Sequence, residues 1–209
     1  MPHENQPIYS AGVKLDDASA VMIILHGRGA SAEDILSLST HLDYPGLAFL
    51  APQAGGYTWY PNRFIFPIEQ NEPYLSDALK VIDGLVKQVE AQGVPTQRIF
   101  IGGFSQGACL ASEYVIRNPK RYGGLIAFSG GYIGPLNVQR QPEGDLNGMP
   151  AFLGCSDVDP HIPLQRVKET TTLLSAMDAK VTEKIYPSMG HTIVDDEIQQ
   201  ARILIEQGL

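Results

Sequence analysis

The chain has 209 residues, 44 % of them hydrophobic and 18 % charged, so it is long enough for one folded domain and too apolar for a disordered segment. Its 15 Lys and Arg against 23 Asp and Glu give a formal net charge of −8, with no run of basic residues. This balance argues against a nucleic acid or an anionic membrane surface as the main partner.

Targeting signals and cysteine usage predict a cytoplasmic protein. The first six residues have neither a basic nor an apolar region of the kind a signal peptide needs. The most compact apolar run, Val21–Leu25, is far shorter than the roughly 20 residues of a membrane span, so no stable membrane insertion is expected. Only two cysteines, Cys109 and Cys155, are present, which favours a reducing compartment.

Short apolar runs alternate with amphipathic stretches along the whole sequence. The runs are mostly continuous rather than alternating, which is typical of strands buried on both faces of a parallel sheet. The predicted strands are Val21–Leu25, Leu47–Ala51, Arg98–Gly102, Gly124–Phe128, Ala151–Cys155 and Val181–Tyr186.

Helix signals lie between these strands. A capping box at Ser31–Asp34 predicts one helix, and Ser76 opens a second that Gly93–Pro95 ends. Further helices are expected after Ser105, after Pro163 and after Asp195. Alternation of this kind predicts an open α/β sheet with helices on both faces, in a single domain over residues 1–209.

Two long connections, Pro52–Pro73 and Gly130–Pro150, interrupt the alternation. Both are rich in Gly and Pro, and the first contains the only tryptophan, Trp59, beside Tyr60. Connections of this length inside a compact domain are usually functional or mobile. Trp59, Tyr60 and Phe64 are therefore candidates for the wall of a substrate pocket, with packing of the loop onto the core as the alternative.

The segment Gly103–Gly107, Gly-Phe-Ser-Gln-Gly, directly follows a predicted strand and precedes a predicted helix. It has the G-x-S-x-G pattern of a nucleophile elbow, in which a strained turn projects the serine hydroxyl. The bare pattern is expected by chance about 0.1 times in such a chain, so its position between strand and helix is what favours Ser105 as a nucleophile.

A serine nucleophile needs a histidine base and an orienting carboxylate, which follow it in that fold in the chain order Ser, Asp or Glu, His. Asp157 and Asp159 both follow the strand Ala151–Cys155, and Asp159 is favoured, with Asp157 expected to bond the loop backbone. His191 follows the last strand and is the predicted base.

The other four histidines are assigned different positions. His3 and His41 are expected in solvent, His26 is expected to buttress the loop after the first predicted strand, and His161 is a candidate for the site entrance. No His-x-x-x-His or paired-cysteine spacing is present, so no metal is predicted. Neither cysteine lies in an elbow, so a thiol nucleophile is not favoured.

An oxyanion hole completes the predicted site. The N–H after the nucleophile, that of Gln106, would be one donor, and the loop after the first predicted strand would supply the other, for which the Arg28 N–H is the candidate. The Arg28 side chain is interpreted either as a solvated surface group or as an anchor for an anionic substrate.

At these motifs the chain resembles the phospholipase/carboxylesterase family of α/β-hydrolases, which includes acyl-protein thioesterases and small bacterial carboxylesterases. The matching segments run over nearly the whole chain: Leu25–Gly29, Gly103–Gly107, Ser129–Gly131, Asp157–Pro163 and Gly190–His191. The resemblance implies an α/β-hydrolase fold with little or no cap, and it places the acid at the aspartate before proline, Asp159.

The resemblance also implies the activity. It predicts a carboxylesterase for short- to medium-chain acyl esters, with a small-molecule ester as partner and no cofactor. Acyl thioesterase and lysophospholipase activity are the alternatives, and a non-catalytic binding protein of the same fold is the alternative from another class. The sequence leaves a homodimer open. The chain departs from acyl-protein thioesterases at Gly29-Ala30 and Cys155-Ser156. The segment Trp59–Asn62, followed by Asn71–Pro73, looks more like a bacterial carboxylesterase, which favours a generic ester substrate over depalmitoylation.

Overall fold

The computed structural model of the protein describes residues 1–136 and 138–209; Asn137, in the second long connection, lies outside the described residues. Its strands are β1 Ile8–Gly12, β2 Ala20–Leu25, β3 Leu47–Pro52, β4 Ile99–Phe104, β5 Gly124–Phe128, β6 Pro150–Ser156 and β7 Lys180–Tyr186. Its α-helices are α1 Ala32–Leu36, α2 Tyr74–Ala91, α3 Gln106–Arg117, α4 Leu164–Ala176 and α5 Asp195–Gly208.

The seven strands form one sheet in the order β1-β3-β2-β4-β5-β6-β7. All neighbours pair in parallel except β1, which runs antiparallel to β3. All six predicted strands are therefore confirmed to within about two residues. The sequence missed β1, because this edge strand alternates exposed and half-buried residues and contains Ser and Gly instead of a buried apolar run.

Side chains pointing to opposite faces of the sheet enter two separate cores. One core combines alternate residues of β2 with residues from α2, α3 and α4, and the other combines the intervening residues with residues from α1 and α5. The expected helices on both faces are confirmed. Because each central strand is buried on both sides, its apolar run is continuous.

Most helix starts agree with the sequence signals. The Ser31 hydroxyl accepts a hydrogen bond from the Asp34 N–H, and the Asp34 carboxylate accepts one from the Ser31 N–H, so the predicted capping box is present. Helix α2 begins at Tyr74, two residues before the predicted start at Ser76. The reason is that the Glu72 carboxylate accepts hydrogen bonds from both the N–H and the hydroxyl of Ser76, and so caps this helix from further upstream.

His3 corrects another expectation. It is buried instead of solvated: its Nε2 bonds the Trp59 carbonyl oxygen at 2.9 Å and its Nδ1 accepts from the Gly55 N–H at 3.1 Å. Burial lowers the pKa of this imidazole. The N-terminal segment therefore fastens the first long connection to the body of the protein.

Across residues 1–136 and 138–209, none of the helices has both the length and the hydrophobicity required to cross a bilayer.

Candidate active site

Ser105 lies in a strained turn between β4 and α3. Its φ of 55° and ψ of −117° are rare for a residue with a side chain, and its N–H donates to the Phe128 carbonyl oxygen at 2.9 Å, which ties the turn to β5. A Cβ atom on Gly103 or Gly107 would collide with the Leu25 carbonyl oxygen, so both flanking positions require glycine. The local sequence thus builds an elbow with the geometry predicted for it.

Three side chains from distant parts of the chain meet at this elbow. The Ser105 Oγ lies 2.8 Å from His191 Nε2, and His191 Nδ1 lies 2.7 Å from Asp159 Oδ2. His191 comes from the loop after β7 and Asp159 from the loop after β6, so the carboxyl ends of three parallel strands supply the cluster. The structure therefore brings together the serine, histidine and aspartate that the sequence selected.

Asp159 is fixed on both of its oxygens. Oδ2 contacts His191, while Oδ1 accepts hydrogen bonds from the N–H groups of His161 and Ile162 at 2.8 and 3.0 Å. Burial by itself favours the protonated carboxyl, but the hydrogen bonds from His191, His161 and Ile162 outweigh it and lower the pKa of Asp159. An ionised Asp159 keeps the proton of the imidazole on Nδ1 and leaves Nε2 as the acceptor facing Ser105.

Asp157 has a different contact. Its side chain is exposed and accepts a hydrogen bond from the Ser188 N–H at 2.8 Å, so it anchors the loop that carries His191. The expectation that the second aspartate bonds the loop backbone is confirmed.

The ring of His191 is held between two other rings. The Phe104 ring lies 4.8 Å from it at a tilt of 34°, and the His161 ring meets it edge-on at 4.7 Å. Because the two neighbours pack against the imidazole from different directions, its orientation toward Ser105 is restricted by packing as well as by Asp159.

The loop after β2 passes directly beside the elbow. A Cβ on Gly27 would lie 3.5 Å from the Ser105 Cβ, which places the backbone of this loop next to the serine. Gln106 is the first residue of α3, so its N–H has no partner within the helix. The Arg28 N–H makes no hydrogen bond within the described parts of the chain. Two free N–H groups thus border the cleft near Ser105.

His26 and Trp59 support this loop from below. His26 is fully buried, with Nδ1 bonded to the Gly27 carbonyl oxygen at 2.8 Å and Nε2 accepting from the Ala54 N–H at 3.0 Å, so its predicted buttressing role is confirmed. The Trp59 indole N–H donates to the His26 carbonyl oxygen at 2.9 Å. Trp59 is completely buried and does not line the cleft, which corrects its prediction as a pocket wall.

A cleft of about 530 Å³ surrounds Ser105 and His191. Tyr60 and Phe64 line it, as predicted for them, and His161 lies at its edge. A larger depression of about 740 Å³, between Ile116 and Arg140, contains none of the three clustered side chains. We therefore identify the smaller cleft as the candidate site.

Two side chains of the site have roles that the sequence did not predict. The Arg28 guanidinium donates to the carbonyl oxygens of Tyr60, Pro61 and Asn62 at 2.6–2.9 Å, so it is neither freely solvated nor directed at a ligand but clamps the first long connection. The Gln106 side chain accepts from the Trp59 N–H at 2.9 Å and donates to the Tyr60 carbonyl oxygen at 2.8 Å. Only a three-dimensional structure could identify partners so far away in sequence.

Other chemistry has little support in this cleft. Burial raises the pKa of both Cys109 and Cys155 to about 12, so neither is a thiolate at neutral pH. Within the described residues, no group of three or more His, Cys, Asp or Glu side chains has a geometry that could hold a metal ion.

Comparison with known proteins agrees with this architecture. Residues 13–208 match the family described as Phospholipase/Carboxylesterase. The crystal structure of a phospholipase/carboxylesterase from Dyadobacter fermentans is similar, with 42 % sequence identity, a TM-score of 0.92 and 99 % of both chains covered. Acyl-protein thioesterase 1 of Saccharomyces cerevisiae is 28 % identical over 94 % of this chain and 96 % of its own, and that of Eremothecium gossypii is 30 % identical over 92 % and 89 %.

Proposed function

Because the chain belongs to the phospholipase/carboxylesterase family of α/β-hydrolases, we propose that it cleaves carboxylic esters through an acyl-enzyme intermediate on Ser105. The observation that carries this proposal is the continuous line of hydrogen bonds from Ser105 Oγ through His191 to Asp159, at 2.8 and 2.7 Å. Residues separated by 86 and 32 positions in sequence form this line. Such a constellation is the one that serine hydrolysis requires.

The proposed reaction begins with proton transfer. His191 Nε2 takes the hydroxyl proton as Ser105 Oγ bonds to the acyl carbon, and Asp159 stabilises the resulting imidazolium. The same proton then passes to the leaving alcohol oxygen as the ester C–O bond breaks. A water molecule then cleaves the acyl-enzyme: His191 Nε2 takes a proton from the water as its oxygen bonds to the acyl carbon, and returns that proton to Ser105 Oγ as the acyl–Ser105 bond breaks, which releases the free acid.

The N–H groups of Arg28 and Gln106 are the proposed oxyanion donors. Gln106 directly follows Ser105, and Arg28 follows Gly27, whose backbone passes beside the serine. Neither N–H has a competing partner in the described parts of the chain, and the start of α3 adds the positive end of a helix dipole. Removing one such donor typically costs about 3 kcal/mol of transition-state stabilisation. Since both are backbone groups, side-chain substitution leaves them in place.

Tyr60 and Phe64 are proposed to contact the acyl group. They form part of an aromatic wall, together with Phe66 and Phe104, on a cleft that is open to solvent. Short- to medium-chain acyl esters are the substrates that we propose for a cleft of about 530 Å³ with such a wall.

The proposal is tested with the Ser105→Ala variant. We expect it to fold like the wild type and to lose about 10⁵–10⁶ in kcat toward p-nitrophenyl butyrate. An alkyl fluorophosphonate should label the wild-type protein at Ser105 and leave the variant unmodified. Near-wild-type turnover by the variant would refute the assignment, and a wild-type protein that neither reacts nor turns over would favour a non-catalytic binding role.

Thioester hydrolysis is the second candidate, because the relatives from both fungi are named acyl-protein thioesterases. Lysophospholipase activity is a third, given the family description. A competition between an oxygen ester and a thioester with the same acyl chain separates the first two, and a lysophospholipid added to the series tests the last.

A cytoplasmic location and a small-molecule ester partner belong to the same proposal, in which no cofactor takes part. The two free, buried thiols are compatible with a reducing compartment. Cell fractionation tests the location, and size-exclusion chromatography with light scattering tests the alternative of a homodimer.

A further inference from the structure

The cleft lining contains basic side chains and no acidic ones. Arg28 and Arg63 carry positive charge there, His161 and His191 are further basic groups in the lining, and no Asp or Glu among the described residues belongs to it. The chain as a whole has eight more acidic than basic residues, so this is a local reversal of its overall charge. A cleft of this kind favours a ligand with negative charge.

Arg63 is the cation in this lining that is available to a ligand. Arg28 is used by three loop carbonyl oxygens, whereas the Arg63 guanidinium makes one long contact, 3.4 Å to the His161 carbonyl oxygen, and its side chain is exposed. None of the ion pairs formed by described residues involves Arg63. Most of its N–H donors, which suit a carboxylate or phosphate geometrically, are therefore free.

The position of Arg63 relative to His191 indicates which half of an ester it would contact. The base must return its proton to the leaving oxygen, so the alcohol half of the substrate has to lie beside the His191 ring. His161 packs edge-on against that ring, and Arg63 touches the carbonyl of His161. Arg63 therefore borders the space that the alcohol half would occupy.

We propose that the preferred substrates carry an anionic group, a carboxylate or a phosphate, on the alcohol half of the ester, and that Arg63 binds it. This inference rests on the proposed ester hydrolysis at Ser105, whose reaction it leaves unchanged. Arg63 acts on specificity through charge and hydrogen bonding and takes no part in proton transfer.

The test compares butyrate esters whose alcohols differ mainly in charge: glycolate, methyl glycolate, 2-hydroxyethyl phosphate and choline. Each kcat/KM is divided by the rate of hydroxide hydrolysis of the same ester, which corrects for leaving-group reactivity. We expect the glycolate ester to exceed the methyl glycolate ester by about tenfold, the range for a partly exposed hydrogen-bonded charge pair. The choline ester should be the poorest, and the ratio of the glycolate to the phosphate ester distinguishes the two anions.

Variants at position 63 separate binding of charge from general effects. Arg63→Gln should bring the glycolate and methyl glycolate esters to nearly equal kcat/KM, with little change for the neutral methyl glycolate ester. Arg63→Lys should keep most of the preference for the glycolate ester. Arg63→Glu should reverse the preference and favour the choline ester. Arg202→Gln is the matched control, because it removes the same charge from an exposed position on α5 outside the cleft lining, and the preference should persist.

Equal activity of the wild type on the anionic and neutral esters, or an unchanged ratio in Arg63→Gln, would overturn the inference. If the wild-type protein shows neither ester turnover nor fluorophosphonate labelling, the proposed hydrolysis is overturned instead. In that case the anion preference is still decided by measuring, by NMR, how tightly the Ser105→Ala protein binds the same esters. Tighter binding of the glycolate ester than of the methyl glycolate ester supports the preference if Arg63→Gln removes the difference. Equal binding of the two esters refutes it.

Discussion

Replacing Asp159 by Asn tests how the carboxylate controls the tautomer of His191. The Oδ1 atom of Asp159 accepts two backbone N–H groups, and Oδ2 faces His191 Nδ1. An asparagine at this position has one oxygen and one NH₂ group, and nitrogen cannot accept the two N–H groups. The oxygen must therefore take the Oδ1 position, and the NH₂ group must face the imidazole.

This orientation reverses the hydrogen bonding of the ring. With an amide NH₂ donating to Nδ1, the proton of neutral His191 moves to Nε2, which then donates to Ser105 Oγ and cannot accept its proton. A base in the wrong tautomer lowers kcat by about 10⁴, which corresponds to about 5.5 kcal/mol of activation free energy. Because the two backbone hydrogen bonds survive, the fold should be retained.

The assay measures kcat and KM for p-nitrophenyl butyrate near neutral pH, with thermal unfolding as the check on folding. Asp157→Asn is the matched control, since Asp157 lies on the same loop and its side chain bonds only the Ser188 N–H among the described residues. We expect it to stay within about threefold of the wild type, as for other exposed polar substitutions. An Asp159→Asn variant with more than about a tenth of wild-type kcat would refute the tautomer argument, and a larger loss in Asp157→Asn would transfer the orienting role to Asp157.

Three further predictions concern stability, measured as the free energy of unfolding in urea. Gln106→Ala leaves the buried Trp59 N–H without a partner, while the Tyr60 carbonyl oxygen keeps its hydrogen bond from Arg28, so the variant should lose about 1–3 kcal/mol. Gln165→Ala, on an exposed helix surface, should lose less than about 0.5 kcal/mol, and equal losses would contradict the bridging role of Gln106. Gly107→Ala should be strongly destabilising because the new Cβ would overlap the backbone of β2. Gly84→Ala, which has open space around it in α2, should gain about 0.5–1 kcal/mol of unfolding free energy. A Gly107→Ala variant as stable as the wild type would show that the elbow can relax. Burial raises the pKa of Glu197 from 4.5 to about 7, so the unfolded chain loses this proton first and stability falls as pH rises between these values, by up to about 3 kcal/mol. Glu197→Gln should remove this part of the pH dependence, and an unchanged slope from pH 5 to about 7 would contradict the assignment.

Much of the fold was predictable because its signals are local. Continuous apolar runs of five or six residues predicted the central strands, and the capping box at Ser31 predicted α1. The edge strand β1 was not predicted because none of its residues is fully buried and only one of its faces is half-buried, so it has no continuous apolar run. Its pairing with β3 depends on a partner about forty residues away. The start of α2 was displaced by a cap from Glu72, a contact that helix propensity does not encode.

For the site, the sequence by itself determined the order Ser105, Asp159, His191 and the strand-to-helix elbow, since chain order and short-range pattern are written along the polymer. Only the tertiary structure decided that Trp59 supports the loop from inside the core, that Arg28 holds three carbonyl oxygens, and that Arg63 faces the cleft with its donors free. These outcomes depend on which distant backbone groups come within hydrogen-bonding range once the sheet and its loops have formed. A side chain of the same type acquires a different role according to the partners that folding brings to it.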